Sequence, residues 1–167
     1  MIIKASNKQH FSTIEDLARE IWTEHYTPII GESQVCYMLD KFNSASYMEN
    51  QTIDSKCLYF LISDNNEPVG YFSIEFREKE LFLNKFYVKF SKRNKGFGRD
   101  AMNFIEEQAK LSGLPYITLR VNKLNTLTIQ KYEKLGFRKT CSLVSDIGNG
   151  FVMDDYFMEK HIDKTCL

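Results

Sequence analysis

The chain has 167 residues, 43% of them apolar and 14% aromatic, with 22 Lys and Arg balanced by 22 Asp and Glu. That length supports one well-filled core spanning residues 1–167 rather than two. The apolar share excludes a disordered chain, and the even charge balance excludes a dedicated nucleic-acid binder, which is normally strongly basic.

The opening "MIIKASNKQHF" lacks a cationic segment followed by an apolar run, so it does not read as a signal peptide. No apolar stretch nears the roughly 20 residues of a membrane span. Cys36, Cys57, Cys141 and Cys166 are scattered without a C-x-x-C pair. They read as reduced thiols of a cytoplasmic protein. His10, His25 and His161 are equally dispersed, so no metal is expected.

In chain order, "MIIKAS" reads as a short strand. From Gln9 to Glu24, Phe11, Ile14, Leu17, Ala18 and Ile21 recur at helical spacing. After "TPIIGES" a second helical pattern runs through Val35, Met38, Leu39 and Phe42, with Ser33 as its cap. "CLYFLISD" and "VGYFSIEFRE" flank the turn "NNEP" as a hairpin, and "LFLNKFYVKF" adds a third strand. A glycine segment leads into a helix carrying Ala101, Met102, Phe104, Ile105 and Ala109, which Gly113 and Pro115 close. "YITLRV" is a strand, "NTLTIQKYEKLGF" a short helix ending at Gly136, and "GFRKTCSLVSD" and "FVMDDYFMEKHI" are two strands around "IGNG". The order β-α-α-β-β-β-α-β-α-β-β is mixed α/β with one late βαβ crossover.

The glycine segment, "SKRNKGFGRDAM", carries the first chemistry. A strand feeding directly into a helix leaves backbone N–H groups pointing out of the helix mouth, where the macrodipole is positive. Gly96 and Gly98 remove the Cβ atoms that would hold a diphosphate away, and Arg93, Lys95 and Arg99 add countercharge. A P-loop would need G-K-[ST], which is absent. A dinucleotide-binding loop fits Gly96-x-Gly98-x-x-Ala101, but the acid expected about 20 residues on is missing from "LRVNK".

Arg93-x-x-Gly96-x-Gly98 resembles the [QR]-x-x-G-x-[GA] pyrophosphate loop of the GNAT superfamily of N-acetyltransferases. Asn125-x-x-Thr128-x-x-x-Tyr132-x-x-x-Gly136-Phe137 is similar to the family's N-x-x-A-x-x-L-Y-x-x-x-G-F helix, with Thr128 in place of Ala and Lys131 in place of Leu. The resemblance implies a mostly antiparallel central sheet flanked by helices, with one splayed parallel strand pair. It implies acetyl-coenzyme A as cosubstrate, with the diphosphate held by Arg93, Asn94, Lys95, Gly96, Phe97, Gly98 and Arg99. The pantetheine arm is expected against the main chain of Phe86, Tyr87 and Val88, in the gap before "YITLRV". Asn125 is expected to cap its helix or to touch the cofactor arm, or both. The Tyr132 hydroxyl is expected to protonate the leaving thiolate.

The acceptor side is less clearly written. A free amine is mostly ammonium at pH 7, and deprotonating it costs roughly 4 to 5 kcal/mol. Family members that place a Glu or His on the strand before the loop would have it at Phe82 or Asn84, and neither can act as a base. Glu24, Glu75, Asp154 and Asp155 are other carboxylates available for the task. Asp154 and Asp155 interrupt an apolar strand, so one of them must share a face with apolar neighbours. The regions around "IWTEHYTPIIGES" and "DIGNGFVMDDYFMEK" resemble a bacterial branch that includes polyamine acetyltransferases. That resemblance implies an acceptor pocket with Trp22 and Tyr26. The expected reaction is acetyl transfer to a small primary amine, such as spermidine or spermine, by direct attack in a ternary complex. Alternatives are a peptide or protein amino group as acceptor, a non-catalytic acyl-coenzyme A sensor, and a dinucleotide oxidoreductase. Family members are often dimers, which makes a homodimer an expectation.

Overall fold

The computed structural model describes residues 1–54 and 57–163; Cys166 lies outside them. The elements are β1 (Ile2–Lys4), α1 (Lys8–Ile30), α2 (Glu32–Phe42), α3 (Ala45–Asp54), β2 (Cys57–Asp64), β3 (Glu67–Phe76) and β4 (Glu80–Val88). A 3₁₀ turn (Phe90–Lys92), α4 (Phe97–Leu111), β5 (Tyr116–Asn122), α5 (Thr126–Lys134), β6 (Arg138–Gly148) and β7 (Phe151–His161) follow. The strands form one seven-stranded sheet in the order β1-β2-β3-β4-β5-β7-β6. It is antiparallel except for the β4–β5 pair, as the sequence leads one to expect.

Three local expectations need correction. α1 does not stop at Glu24 but runs through Pro28 to Ile30. Pro28 sits in the last turn, where its missing N–H costs the helix one bond just as the helix ends, and Gly31, at φ 84°, closes it by donating its N–H to Thr27 O at 3.0 Å. Ser33 is not the cap of α2; it lies inside the first turn, and Gly31 takes the cap position without a side-chain bond. α3 has no counterpart in the reading above, because Met48 is its only buried residue and it shows no apolar stripe.

The chain divides into two compact units: Met1–Phe76 with Asn84–Ile105, and Arg77–Leu83 with the chain from Glu106 on. In the first, α1 buries Phe11, Ile14, Leu17, Ala18 and Ile21, the stripe read from the sequence. On the sheet, Phe60 stacks on Phe72 with ring centroids 4.8 Å apart, and Phe104 of α4 packs edge-on against Phe60 at 5.3 Å. The β2–β3 turn is made by Asn65 and Asn66 at φ 47° and 69°, a tip narrower than "NNEP". Gly70 of β3 lets the main chain of β4 come close: a Cβ there would lie 2.4 Å from Tyr87 O and 3.1 Å from Val88 Cα.

In the second unit, β7 lies between β5 and β6. Leu81, Ile117, Leu119 and Met158 form its buried layer. The Lys160 ammonium meets the Glu106 carboxylate at 2.6 Å. The C-terminus of α4 closes as expected: Gly113, at φ 66°, donates to Lys110 O, and Leu114 N donates to Ala109 O. Among the described residues, no helix is long and apolar enough to cross a membrane.

Candidate active site

The glycine segment lies in the first unit. β4 ends at Val88, the 3₁₀ turn reverses the chain, and Arg93 to Gly96 lead directly into α4. Asn94 and Gly96 take φ of 61° and 95°, so two left-handed residues aim the chain into the helix. The first intrahelical bond runs from Asp100 N to Gly96 O at 3.0 Å. The N–H groups of Phe97, Gly98 and Arg99 precede it and form the mouth of a 15-residue helix. A Cβ on Gly98 would meet nothing nearer than Phe86 Cζ at 3.9 Å, so the space over these donors is open. That agrees with the Gly or Ala the family pattern allows at this position.

The cations of the segment have separate tasks. Lys95 and Arg99 are exposed beside the donors. Arg93 donates from Nε to Val88 O at 3.1 Å and lies over the Phe90 ring, tying the loop to the end of β4. Lys92 reaches the β2–β3 tip, bonding Glu67 at 2.7 Å and Asp64 at 3.2 Å. These partners raise its pKa. An exposed helix mouth with two open cations and no Cβ in the way fits a diphosphate.

The parallel register of β4 with β5 runs from Glu80↔Tyr116 to Leu83↔Leu119. β4 continues to Val88 and β5 to Asn122, each beyond that register. Phe86, Tyr87 and Val88 are half-buried in this continuation. Around Tyr87 the first unit gathers an aromatic group: Trp22 at 5.6 Å, Tyr26 at 6.2 Å and Tyr71 at 5.3 Å between ring centroids. Trp22 Nε1 donates to Tyr71 Oη at 3.2 Å, and burial holds the Tyr71 phenol well above its usual range. Trp22 and Tyr26 therefore come together against Tyr87 near the end of β4. Glu24 does not join them; it lies on the exposed side of α1. Glu75 is half-buried on β3 opposite Cys57.

Two residues near this group escaped the sequence reading. Tyr71 is 49 positions from its partner Trp22, and such a pairing leaves no local signal. Lys85 is buried within β4, and burial lowers its pKa to about 8. A lysine inside the apolar run "LFLNKFYV" was the signal that could have found it.

The second unit holds the remaining residues. Asn125 occupies the N-cap position of α5, and its carbonyl accepts from Ile129 N at 3.1 Å. Its side chain makes no cap bond, which corrects that half of the expectation. Asn122, also missed, turns its Oδ1 to Leu124 N at 2.9 Å and shapes the entry to α5. Tyr132 is buried on the Asn125 side of α5, its ring edge-on to Phe137 at 5.4 Å. Asp154 and Asp155 separate by strand alternation. Asp154 is exposed and ion-paired with Lys123. Asp155 is buried, with Oδ1 lacking any hydrogen-bond partner.

An open helix mouth following an antiparallel meander, with one parallel crossover beyond it, defines a mixed α/β architecture. The chain belongs to the acetyltransferase (GNAT) family, whose model matches residues 14–137. As a member it is an N-acetyltransferase that uses acetyl-coenzyme A. Among solved structures it is similar to the PaiA N-acetyltransferase of Thermoplasma acidophilum in complex with coenzyme A: 21% identity, TM-score 0.79, covering 96% of this chain and 99% of that one. It is also similar to a GNAT-family acetyltransferase of Staphylococcus aureus Mu50 (17%, TM-score 0.72, 98% and 99% covered). A third is the ribosomal-protein-S18-alanine N-acetyltransferase of Escherichia coli (16%, TM-score 0.70, 100% and 99% covered). No curated protein matches the chain.

Proposed function

We propose that this enzyme acetylates a primary amine of a small molecule, with a polyamine such as spermidine or spermine as the leading acceptor. The observation that carries the proposal is the aromatic group of Trp22, Tyr26, Tyr71 and Tyr87 at the cofactor strand. Aromatic faces attract cations, and an aliphatic polycation needs apolar walls as well as charge. Of the carboxylates singled out, Glu75 is half-buried on β3 and Asp155 is buried on β7, whereas Asp154 is already paired with Lys123. The PaiA N-acetyltransferase that this chain resembles was solved with coenzyme A, in keeping with the cosubstrate. The family match spans parts of both units, which supports reading residues 1–167 as one functional domain. The thiols of Cys36, Cys57 and Cys141 are free, in keeping with a cytoplasmic setting.

In this reading the N–H groups of Phe97, Gly98 and Arg99 hold the diphosphate, with Lys95 and Arg99 as countercharges. Arg93 and Asn94 fix the loop. The main chain of Phe86 to Val88 orients the pantetheine arm and polarises the acetyl carbonyl. Bound acetyl-coenzyme A supplies an acetyl group activated as a thioester. Tyr132 donates its Oη proton to the leaving sulfur; a phenol of pKa about 10 is only slightly weaker an acid than a thiol of about 8.5. Asn125 sets the start of the helix that carries Tyr132.

The test is thiol release with spermidine, spermine, small monoamines and peptide amines as acceptors. Polyamines should give the highest kcat/KM. A preference for peptide N-termini would favour the second reading, which the similarity to a ribosomal-protein N-acetyltransferase supports. Tight coenzyme A binding with no release from any amine would leave a sensor instead.

A further inference from the structure

We infer that Asp155 is the base that takes the proton from the acceptor's ammonium group; this role rests on the amine-acetylation reading above. The argument starts from the sheet. β4 pairs Phe82 with Thr118, and β5 pairs Thr118 with Glu159, Arg120 with Phe157 and Asn122 with Asp155. Alternation along each strand therefore puts Phe82, Arg120, Asn122, Phe157 and Asp155 on one face. Phe82 is one of the two positions, with Asn84, where the resemblance would place a catalytic Glu or His. Here its ring stacks on Phe157 with planes 9° apart, and the Arg77 guanidinium lies 3.8 Å from its centroid. That position is filled by a ring and a cation. The same face carries a carboxylate on β7 instead.

Asp155 has the properties a base requires and a structural residue would lack. It is 6% exposed, and its Oδ1 has no hydrogen-bond partner. A buried carboxylate oxygen without a donor weakens the fold, so its presence asks for a function. Its neighbour Asp154 is already paired with Lys123. Burial pushes the Asp155 carboxyl up to about 6, Asp154 adds to that, and Arg120 of β5 and Lys123 just after it pull against it. From β6 the facing residue is Leu143, which does not titrate. Such a group is ionised at neutral pH yet more basic than an exposed aspartate, as proton abstraction demands.

The step is a proton transfer alone. One N–H bond of R–NH3⁺ breaks, one O–H bond forms at Oδ1, and the neutral amine keeps the electron pair it needs for attack. The proton then passes to water as the carboxylate is restored.

The test compares wild type, Asp155→Asn and Asp155→Glu, with one fixed amine across pH 5 to 9. Wild-type kcat/KM should fall on the acid side, bending near pH 6. Asp155→Asn should lose about 10² to 10⁴-fold at pH 7.5, lose that acid limb, and keep the thermal protection given by coenzyme A. Asp155→Glu should recover part of the loss. A carbon-NMR titration of the ligand-free wild type should show a carboxyl near 6 that Asp155→Asn removes. If the Asn variant fails to fold, the wild-type profile and titration decide, and the absence of a group near 6 overturns the role. An Asn variant within threefold of an active wild type, or one that also loses coenzyme A protection, overturns the role and leaves the functional reading intact. A wild type that acetylates no amine overturns that reading itself.

Discussion

Replacing Gly70 by Ala tests the link between sheet packing and cofactor binding. The new Cβ would start 2.4 Å from Tyr87 O, where 3.4 Å is the lower edge of ordinary contact. The two must therefore part by about 1 Å. The atom that blocks it is main chain, so no rotamer change relieves the clash; β4 has to move at Tyr87 and Val88. Overpacking of this kind costs about 1 to 3 kcal/mol, and at about 2 to 4 °C per kcal/mol the melting temperature should fall by about 2 to 12 °C. Misplacing a positioning element by about 1 Å is worth on the order of 10² in rate. The acetyl-coenzyme A KM should therefore rise, and protection by coenzyme A should shrink. Thermal melts with and without coenzyme A, together with the acetyl-coenzyme A KM, measure both effects. Gly98→Ala is the control: its Cβ meets nothing closer than 3.9 Å, so it should fold as well as wild type. A Gly70→Ala protein with wild-type melting and wild-type KM would refute the reasoning.

Tyr132→Phe should reduce kcat by about 10 to 10²-fold while coenzyme A protection stays unchanged, because only the hydroxyl is lost; stopped thiol-release assays read this directly. Asp155 is raised from 3.8 to about 6, so the folded state binds more protons than the unfolded state between those values, and stability falls as pH rises through that window. Asp155→Asn should then melt higher at pH 7.5, by up to about 3 kcal/mol, and gain little at pH 4. Lys85 is lowered from 10.5 to about 8, so the folded state sheds its proton first and stability rises as pH climbs from 8 to 10.5. Lys85→Met should stabilise the protein at pH 7 by up to about 3 kcal/mol, with the gain gone by pH 10.5 in denaturant titrations.

The strongly periodic elements were legible in the sequence. The α4 stripe and the apolar runs of β2 to β5 are written residue by residue; the glycine motif leads into α4, and the second motif lies on α5. α3 was not legible, because a helix that buries only Met48 carries no pattern. The end of α1 was misread, since Pro28 normally stops a helix and here falls where a stop is already due. For the site, a charged residue interrupting an apolar strand was the useful signal. It singled out the pair Asp154 and Asp155 without choosing between them, and the same logic applied to "LFLNKFYV" would have singled out Lys85. The Trp22–Tyr71 bond depends on how α1 packs on the sheet, and the register that places Asp155 opposite Asn122 depends on strand pairing; a single sequence encodes neither locally.

Exposed hairpin tips are the usual place to graft a tag or a reporter peptide. The tip at Asn65–Asn66 is a poor choice here. It is bracketed by Asp64 and Glu67, and both grip Lys92, three residues before the helix-mouth segment begins to take shape at Lys95. An insertion there would tug on the loop. The Asn149–Gly150 tip, exposed at the far end of β6 and β7, offers the safer graft.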